Sequence, residues 1–219
     1  MSVDITGPHP RSSRGRRFIL TLVDHFSKWA EAIPLASHTA PVVARALVEH
    51  VFTRFGPPKQ LLRDQGPEFE SQLFKDLMTW YGVDKLRTTP YKPSTNGVVE
   101  RFHRTLNSML GKVVSTSQRD WDEVLPQVMA AYRATRHDAT GYSPNMLFLG
   151  REVSTPLDLV MGLPPDQRST CASYDDFVQV VEQRAMDAYE VARKHLRRNA
   201  ERRKNAYDIR VSTATISSW

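Results

Sequence analysis

Three carboxylates separated along the chain, Asp4, Asp64 and Glu100, are the residues best suited to chemistry. Asp64 closes an apolar run, "LLRD", just before Gly66-Pro67, and Glu100 stands in the first turn of a helix-like stretch, "NGVVERFHRTL", with 35 residues between them. Asp4 lies in "VDI", an alternating segment at the chain start. Carboxylates from separate elements that meet at one sheet edge can hold two divalent cations ~3.5–4 Å apart for attack on a phosphodiester. Each also has an ordinary reading on its own. Asp before Gln-Gly-Pro is a turn residue, Glu in a first helical turn suits the macrodipole, and Asp4 belongs to a solvated terminus. Their joint spacing and flanking sequence favour the shared site.

The elements that would position them can be read from periodicity. Val3-Asp4-Ile5, Phe18 to Val23 ("FILTLV") and Ala30 to Leu35 ("AEAIPL") read as three strands of an antiparallel meander. Thr39 is placed to cap a helix from Pro41 to about Phe55, with Gly56 past its end. Lys59 to Asp64 is a fourth strand, Ser71 to Tyr81 a helix ended by Gly82, and Val83 to Thr88 a fifth strand. Helices follow from about Gly97 to Val114 and from Trp121 to about Thr135, Pro126 falling near the start of the second. "TGYSPNMLFLG" reads as a packed closing loop. This order implies an α/β domain, a five-stranded mixed sheet flanked by helices. Trp29 and Trp80 are expected in the core and Trp121 at a helix start, while Trp219 has no assigned role.

Composition allows a packed core, with 40% hydrophobic and 9% aromatic residues in 219. The formal charge of +6 and a pI near 9.6 point to a polyanionic partner, most simply nucleic acid. One cysteine, Cys171, excludes an intramolecular disulfide and a Cys-rich zinc module, and fits a reducing compartment. No apolar run approaches a membrane span and no signal-peptide core is visible, so an intracellular soluble protein with no membrane partner is expected. Residues 161–173 read as a linker, 174–207 as one long helix with a basic final third, and 208–219 as a tail of uncertain structure. The run from Arg193 to Lys204 is a DNA-phosphate surface, a nuclear-import segment or a solvated helix face.

"LLRDQGPEFES" followed after 35 residues by "NGVVERFHRTL" resembles the catalytic core of retroelement integrases, closest to the Ty3/gypsy long-terminal-repeat class. The resemblance extends through "VDITGP…FILTLVDHFSKWAEAIPL" and "WDEVLPQVMAAYRATRHDATGYSPNMLFLGRE", covering about residues 3–160. It implies a ribonuclease-H-like core over 1–160 and an Asp-Asp-Glu triad binding two Mg²⁺ (or Mn²⁺) ions. The implied activity is polynucleotidyl transfer with nuclease activity: 3′-end processing, then strand transfer of element ends into target DNA. It also implies a homo-oligomer, at least a dimer, and a nuclear location. Asp24, in "LVDHFSKW", is the alternative first ligand, but the family carries its first Asp in a "DITGP"-like motif, which maps to Asp4. Catalytic and metal roles therefore fall to Asp4, Asp64 and Glu100. His103, Arg104 and Asn107 share the helix face of Glu100 and could hold DNA phosphates. The resemblance makes Tyr91, Ser94, Thr95 and Asn96 a substrate-contacting loop. No His/Cys pairing has zinc-ligand spacing, so the family's amino-terminal zinc domain is expected to be absent here, and the stretch after Asp208 is too short for its carboxy-terminal one. The alternative reading is a truncated or host-adopted integrase-derived protein that binds nucleic acid without catalysis.

Overall fold

The computed structural model describes residues 1–87, 97–154, 160–161 and 174–216. The chain divides into two compact units, Met1–His25 with Trp29–Tyr132, and Phe26–Lys28 with Arg133–Trp219.

The first unit is built on one five-stranded mixed sheet of order β3-β2-β1-β4-β5. Its strands are β1 (Ser2–Thr6), β2 (Phe18–Val23), β3 (Ala30–Leu35), β4 (Gln60–Arg63) and β5 (Asp84–Arg87). The first three form the expected antiparallel meander, with Asp4 opposite Thr21. Strand β4 then pairs parallel to β1, with Ser2 beside Leu62, and β5 parallel to β4. The two-residue period of a strand decides which side chain meets which layer. Val3, Leu20, Leu22 and Leu61 enter one core with α1 (Ala40–Leu47) and α4 (Gln72–Trp80). Ile19, Val23 and Ala30 enter the other, against α5 (Gly97–Val113) and α6 (Trp121–Ala134). Asp4 and Thr21 therefore face the α5 layer.

The helix expected from Pro41 to Phe55 is interrupted. After α1 come a π-helical turn, Val48–Phe52, and a short α2, Thr53–Phe55, before Gly56 at φ 79°. Thr39 takes the N-cap position, but its side chain makes no capping bond. The extra residue in the π turn keeps both Val51 and Phe52 in the core. A short α3, Pro67–Glu70, precedes α4, which Ser71 caps by accepting from Phe74 N–H.

Trp80 overturns its expected place in the core, being 80% exposed, whereas Trp29 and Trp121 are buried. The reason is angular. Phe74, Leu77 and Met78 form the buried stripe of α4, and at ~100° per residue Trp80 falls well outside it, beside exposed Leu73.

The second unit contains α7 (Pro144–Leu149) and α8 (Tyr174–Ile216). The segment expected as a closing loop thus contains a helix, capped by Ser143 accepting from Met146 N–H and ended by left-handed Gly150. Helix α8 continues past the expected end at Tyr207 to Ile216. Leu147, Ala188 and Ala192 are its buried centre, with Phe26, Tyr142, Met146 and Tyr189 packed around them. No helix among the described residues is long and apolar enough to cross a membrane. Trp219 and most of the expected linker lie outside the described residues.

Candidate active site

The site starts from the register of β1. Asp4 sits mid-strand, and the parallel pairing of Ser2 with Leu62 sets Asp64, two residues further along β4, level with it. Asp64 falls one residue beyond the strand end, where its Oδ1 accepts Gly66 N–H at 3.1 Å. Asp4 Oδ1 accepts Ile5 N–H at 2.8 Å. Helix α5 brings Glu100 to the same side of the sheet. Its buried stripe, Val99, Phe102, Leu106 and Leu110, packs on Ile19 and Val23, leaving Glu100 exposed in the first turn. Each of those apolar side chains contributes roughly 1.5–3 kcal/mol on burial, which fixes the rotation of α5 and hence the direction of Glu100.

The electrostatics show the other carboxylates acting on Asp4. Burial, and then the neighbouring carboxylates of Asp64, Glu100 and Glu68, push the Asp4 carboxyl up to about 6, against the opposing bond from Ile5. Glu68 is an acidic neighbour that sequence reasoning missed. It follows Asp64 by four residues, but the intervening Gly66-Pro67 turn hid the relation. Gly66 permits the approach: a Cβ there would stand 2.7 Å from Glu68 Oε1 and 3.2 Å from Asp64 Oδ1. Glu68 Oε2 also lies 3.7 Å from His38 Nδ1.

His103 turns inward rather than sharing the open face of Glu100. Its Nε2 is 2.8 Å from Thr21 Oγ1, and its Nδ1 is 3.8 Å from Asp4 Oδ2. Burial, followed by His9 nearby, holds the imidazole below its ordinary pKa, with Glu100 opposing. The Asp4–His103 approach is therefore a contact of neutral imidazole with a carboxyl group rather than an ion pair. Thr21 Oγ1 donates its only proton to the Asp4 carbonyl at 3.1 Å, so Nε2–H of His103 is the donor to Thr21. Fully buried Thr21 thus ties the strand of Asp4 to the helix of Glu100.

Arg104 and Asn107 are exposed on α5. Tyr91, Ser94, Thr95 and Asn96 lie outside the described residues. Asp24 is level with Met1 rather than with Asp4. Three residues of strand, about 10 Å, separate the two levels, and the Asp24 N–H closes the β2–β3 turn onto Trp29 O.

The donor set is all oxygen, the chemistry that hard divalent cations require. The Asp4 carboxyl is pushed up first by burial and then by the neighbouring carboxylates, and a bound cation would offset that cost. Among the described residues, no three His, Cys, Asp or Glu side chains yet approach closely enough to hold an ion.

Residues 1–93 match the Integrase core domain family. The chain is 32% identical over 211 residues to the retrovirus-related Pol polyprotein from transposon 412 of Drosophila melanogaster, covering 95% of this chain and 17% of that protein. It is 37% identical over 152 residues to the Pol polyprotein of Radiation murine leukemia virus (strain Kaplan), covering 69% and 24%. The chain thus spans only a small part of the curated relatives' length. The crystal structure of the catalytic core domain of BIV integrase superposes with a TM-score of 0.54 at 25% identity, over 68% of this chain and 92% of that one. The HTLV-2 integrase catalytic core domain, solved in complex with magnesium, superposes with a TM-score of 0.56 at 19% identity, over 67% and 93%, a likeness of fold alone. The chain therefore belongs to the retroelement integrase catalytic-core family, with its ribonuclease-H-like fold, and its likeness to transposon 412 is consistent with the Ty3/gypsy class.

Proposed function

We propose that this chain is the catalytic core of an enzyme that integrates retroelement DNA by metal-dependent polynucleotidyl transfer, through 3′-end processing and strand transfer. The observation that supports it most is the parallel register of β1 on β4, which makes Asp4 and Asp64 neighbours on the α5 side of the sheet. Asp4, Asp64 and Glu100 would hold two Mg²⁺ or Mn²⁺ ions. Bound there, the metals would supply Lewis acidity for in-line attack of water or a 3′-hydroxyl on a phosphodiester. The protein's own part is positional. Asp4 is fixed by the Ile5 N–H, Asp64 by the Gly66 N–H, and the Glu100 helix by its apolar stripe and by Thr21. Arg104 and Asn107, with the loop residues Tyr91, Ser94, Thr95 and Asn96, are proposed to hold DNA backbone beside the carboxylates. A multimer, at least a dimer, acting in the nucleus completes the reading.

The test is disintegration of a branched DNA by the purified chain with Mn²⁺. Wild type should resolve the branch, and Glu100→Gln should lower the rate by at least about a hundredfold. Equal behaviour of the two proteins would remove the enzymatic reading. It would favour instead an integrase-derived protein that binds nucleic acid without catalysis, a reading supported by the carboxylates' lack of close convergence among the described residues.

A further inference from the structure

Strand β2 reads FILTLV, and Thr21 is its only polar side chain. It is fully buried, at a position whose neighbours along the strand are all apolar. A buried hydroxyl costs free energy unless it is hydrogen-bonded, and this one makes two bonds. Its proton goes to Asp4 O at 3.1 Å, which leaves the oxygen to accept from His103 Nε2–H at 2.8 Å. A neutral imidazole carries a single N–H, so Nδ1 of His103 is bare. Burial, and then His9, hold the ring neutral, and a cation at the carboxylates would disfavour the charged form further.

The bare nitrogen is the one turned toward Asp4. Nδ1 lies 3.8 Å from Asp4 Oδ2, too far for a hydrogen bond. Among the described residues the Asp4 carboxylate accepts one bond, from Ile5 N–H to Oδ1 at 2.8 Å. The opposite tautomer would aim an N–H at Oδ2, and a charge-assisted bond to a carboxylate is about twice as strong as a neutral one. Oδ2 would then have to share that donor with any cation it took. We propose that Thr21 is a positioning residue for the metal site: by accepting Nε2–H, it holds His103 in the tautomer that keeps a proton donor off Oδ2 of Asp4. The inference rests on the metal-binding role proposed above for Asp4. A simple tether between β2 and α5 would need the Thr21–His103 bond in either direction, whereas this role needs the proton on Nε2.

The test reads the tautomer itself, in EDTA and without DNA. Two-bond proton–nitrogen correlation spectra of the full chain with isotope-labelled histidine would be recorded at about pH 8, where Asp4 is ionised. The His103 signals are identified by their loss in His103→Leu. Wild type should show Nε2–H and a bare Nδ1. Thr21→Val removes the acceptor while keeping the branched shape, and should move the proton to Nδ1. Thr21→Ser keeps the hydroxyl and should leave the proton on Nε2. Calorimetric titration with Mg²⁺ supplies the second readout. Thr21→Val should weaken binding roughly tenfold, as groups that orient metal ligands do on mutation, and Thr21→Ser should bind as wild type does. Thr21→Val combined with His103→Leu should recover the affinity, because no N–H remains to reach Oδ2 and both polar partners are replaced together. Nδ1–H in wild type, Nε2–H surviving in Thr21→Val, unchanged Mg²⁺ affinity in Thr21→Val, or no recovery in the double variant would each overturn the proposal. The wild-type spectrum decides the first point even if Thr21→Val does not fold. Absence of Mg²⁺ binding in wild type would remove the metal site and this role with it, whereas normal binding with the wrong tautomer would remove the role alone.

Discussion

The carboxyl group of Asp4 carries an energetic conflict created by its burial and then by its acidic neighbours. Its folded pKa is raised from 3.8 to about 6, so between those values the native state binds more protons than the unfolded chain. Stability in the metal-free protein therefore falls as pH rises through this window, and the cost is fully present above about 6. Discounted for partial solvent screening, the shift corresponds to about 2 kcal/mol. Asp4→Asn removes the charge and keeps the shape. In EDTA it should melt several degrees above wild type at about pH 8 and close to it at about pH 4, by thermal unfolding. A variant no more stable than wild type at the higher pH would mean that Asp4 bears no such burden. Sequence made Asp4, Asp64 and Glu100 legible because each sits at a recognisable element boundary or strand centre. It hid Glu68 and Thr21, whose parts depend on a turn and on a cross-strand pairing, neither of which leaves a periodic signal.

Among the elements, β4 shows how a strand end is held. Arg63, its last residue, is 1% exposed, and its Nη1 donates to Glu70 Oε1 at 2.8 Å and to Asp64 O at 3.3 Å. A buried guanidinium tied to α3 thus fixes the carbonyl of the residue whose carboxylate faces Asp4. Removing one partner leaves the buried charge uncompensated, at a cost of about 3–5 kcal/mol. Since Glu70 keeps 28% side-chain exposure, Glu70→Ala should cost about 3 kcal/mol in denaturant unfolding. A loss under about 1 kcal/mol would show that water takes over the role of Glu70. Strands such as FILTLV were legible to the residue because a six-residue run alternating β-branched with other large side chains favours a strand over a helix. The π turn at Val48–Phe52 was not, since its apolar spacing mimics an α-helix with one residue too many. Trp80 misled through residue type, its angle on α4 being the sounder guide. Helix α8 ran past Tyr207 because nothing in "DIRVSTATI" breaks a helix already nucleated upstream.

At the scale of the whole molecule, the protein combines an excess of positive charge with a local concentration of negative charge. The net charge is +6, yet in the first unit Asp64, Glu68 and Glu100 all bear on the carboxyl group of Asp4. A divalent cation that binds the folded carboxylates and not the unfolded chain must raise stability by mass action. At a hundred times Kd the gain is about 2.7 kcal/mol, and for a chain of this size each kcal/mol moves Tm by roughly 2–4 °C. Adding Mg²⁺ or Mn²⁺ at about pH 8 should therefore raise Tm by about 5–10 °C over EDTA. Asp4 must be deprotonated to serve as a ligand, so the same addition at about pH 5 should give a much smaller rise. Glu100→Gln should lose much of the rise at the higher pH while folding normally, because an exposed Gln suits a helix. Calorimetric scans of the two proteins at both pH values decide the matter. A metal effect of equal size in the variant, or one independent of pH, would assign the stabilisation to ions elsewhere on the surface and leave the four carboxylates without a counter-ion.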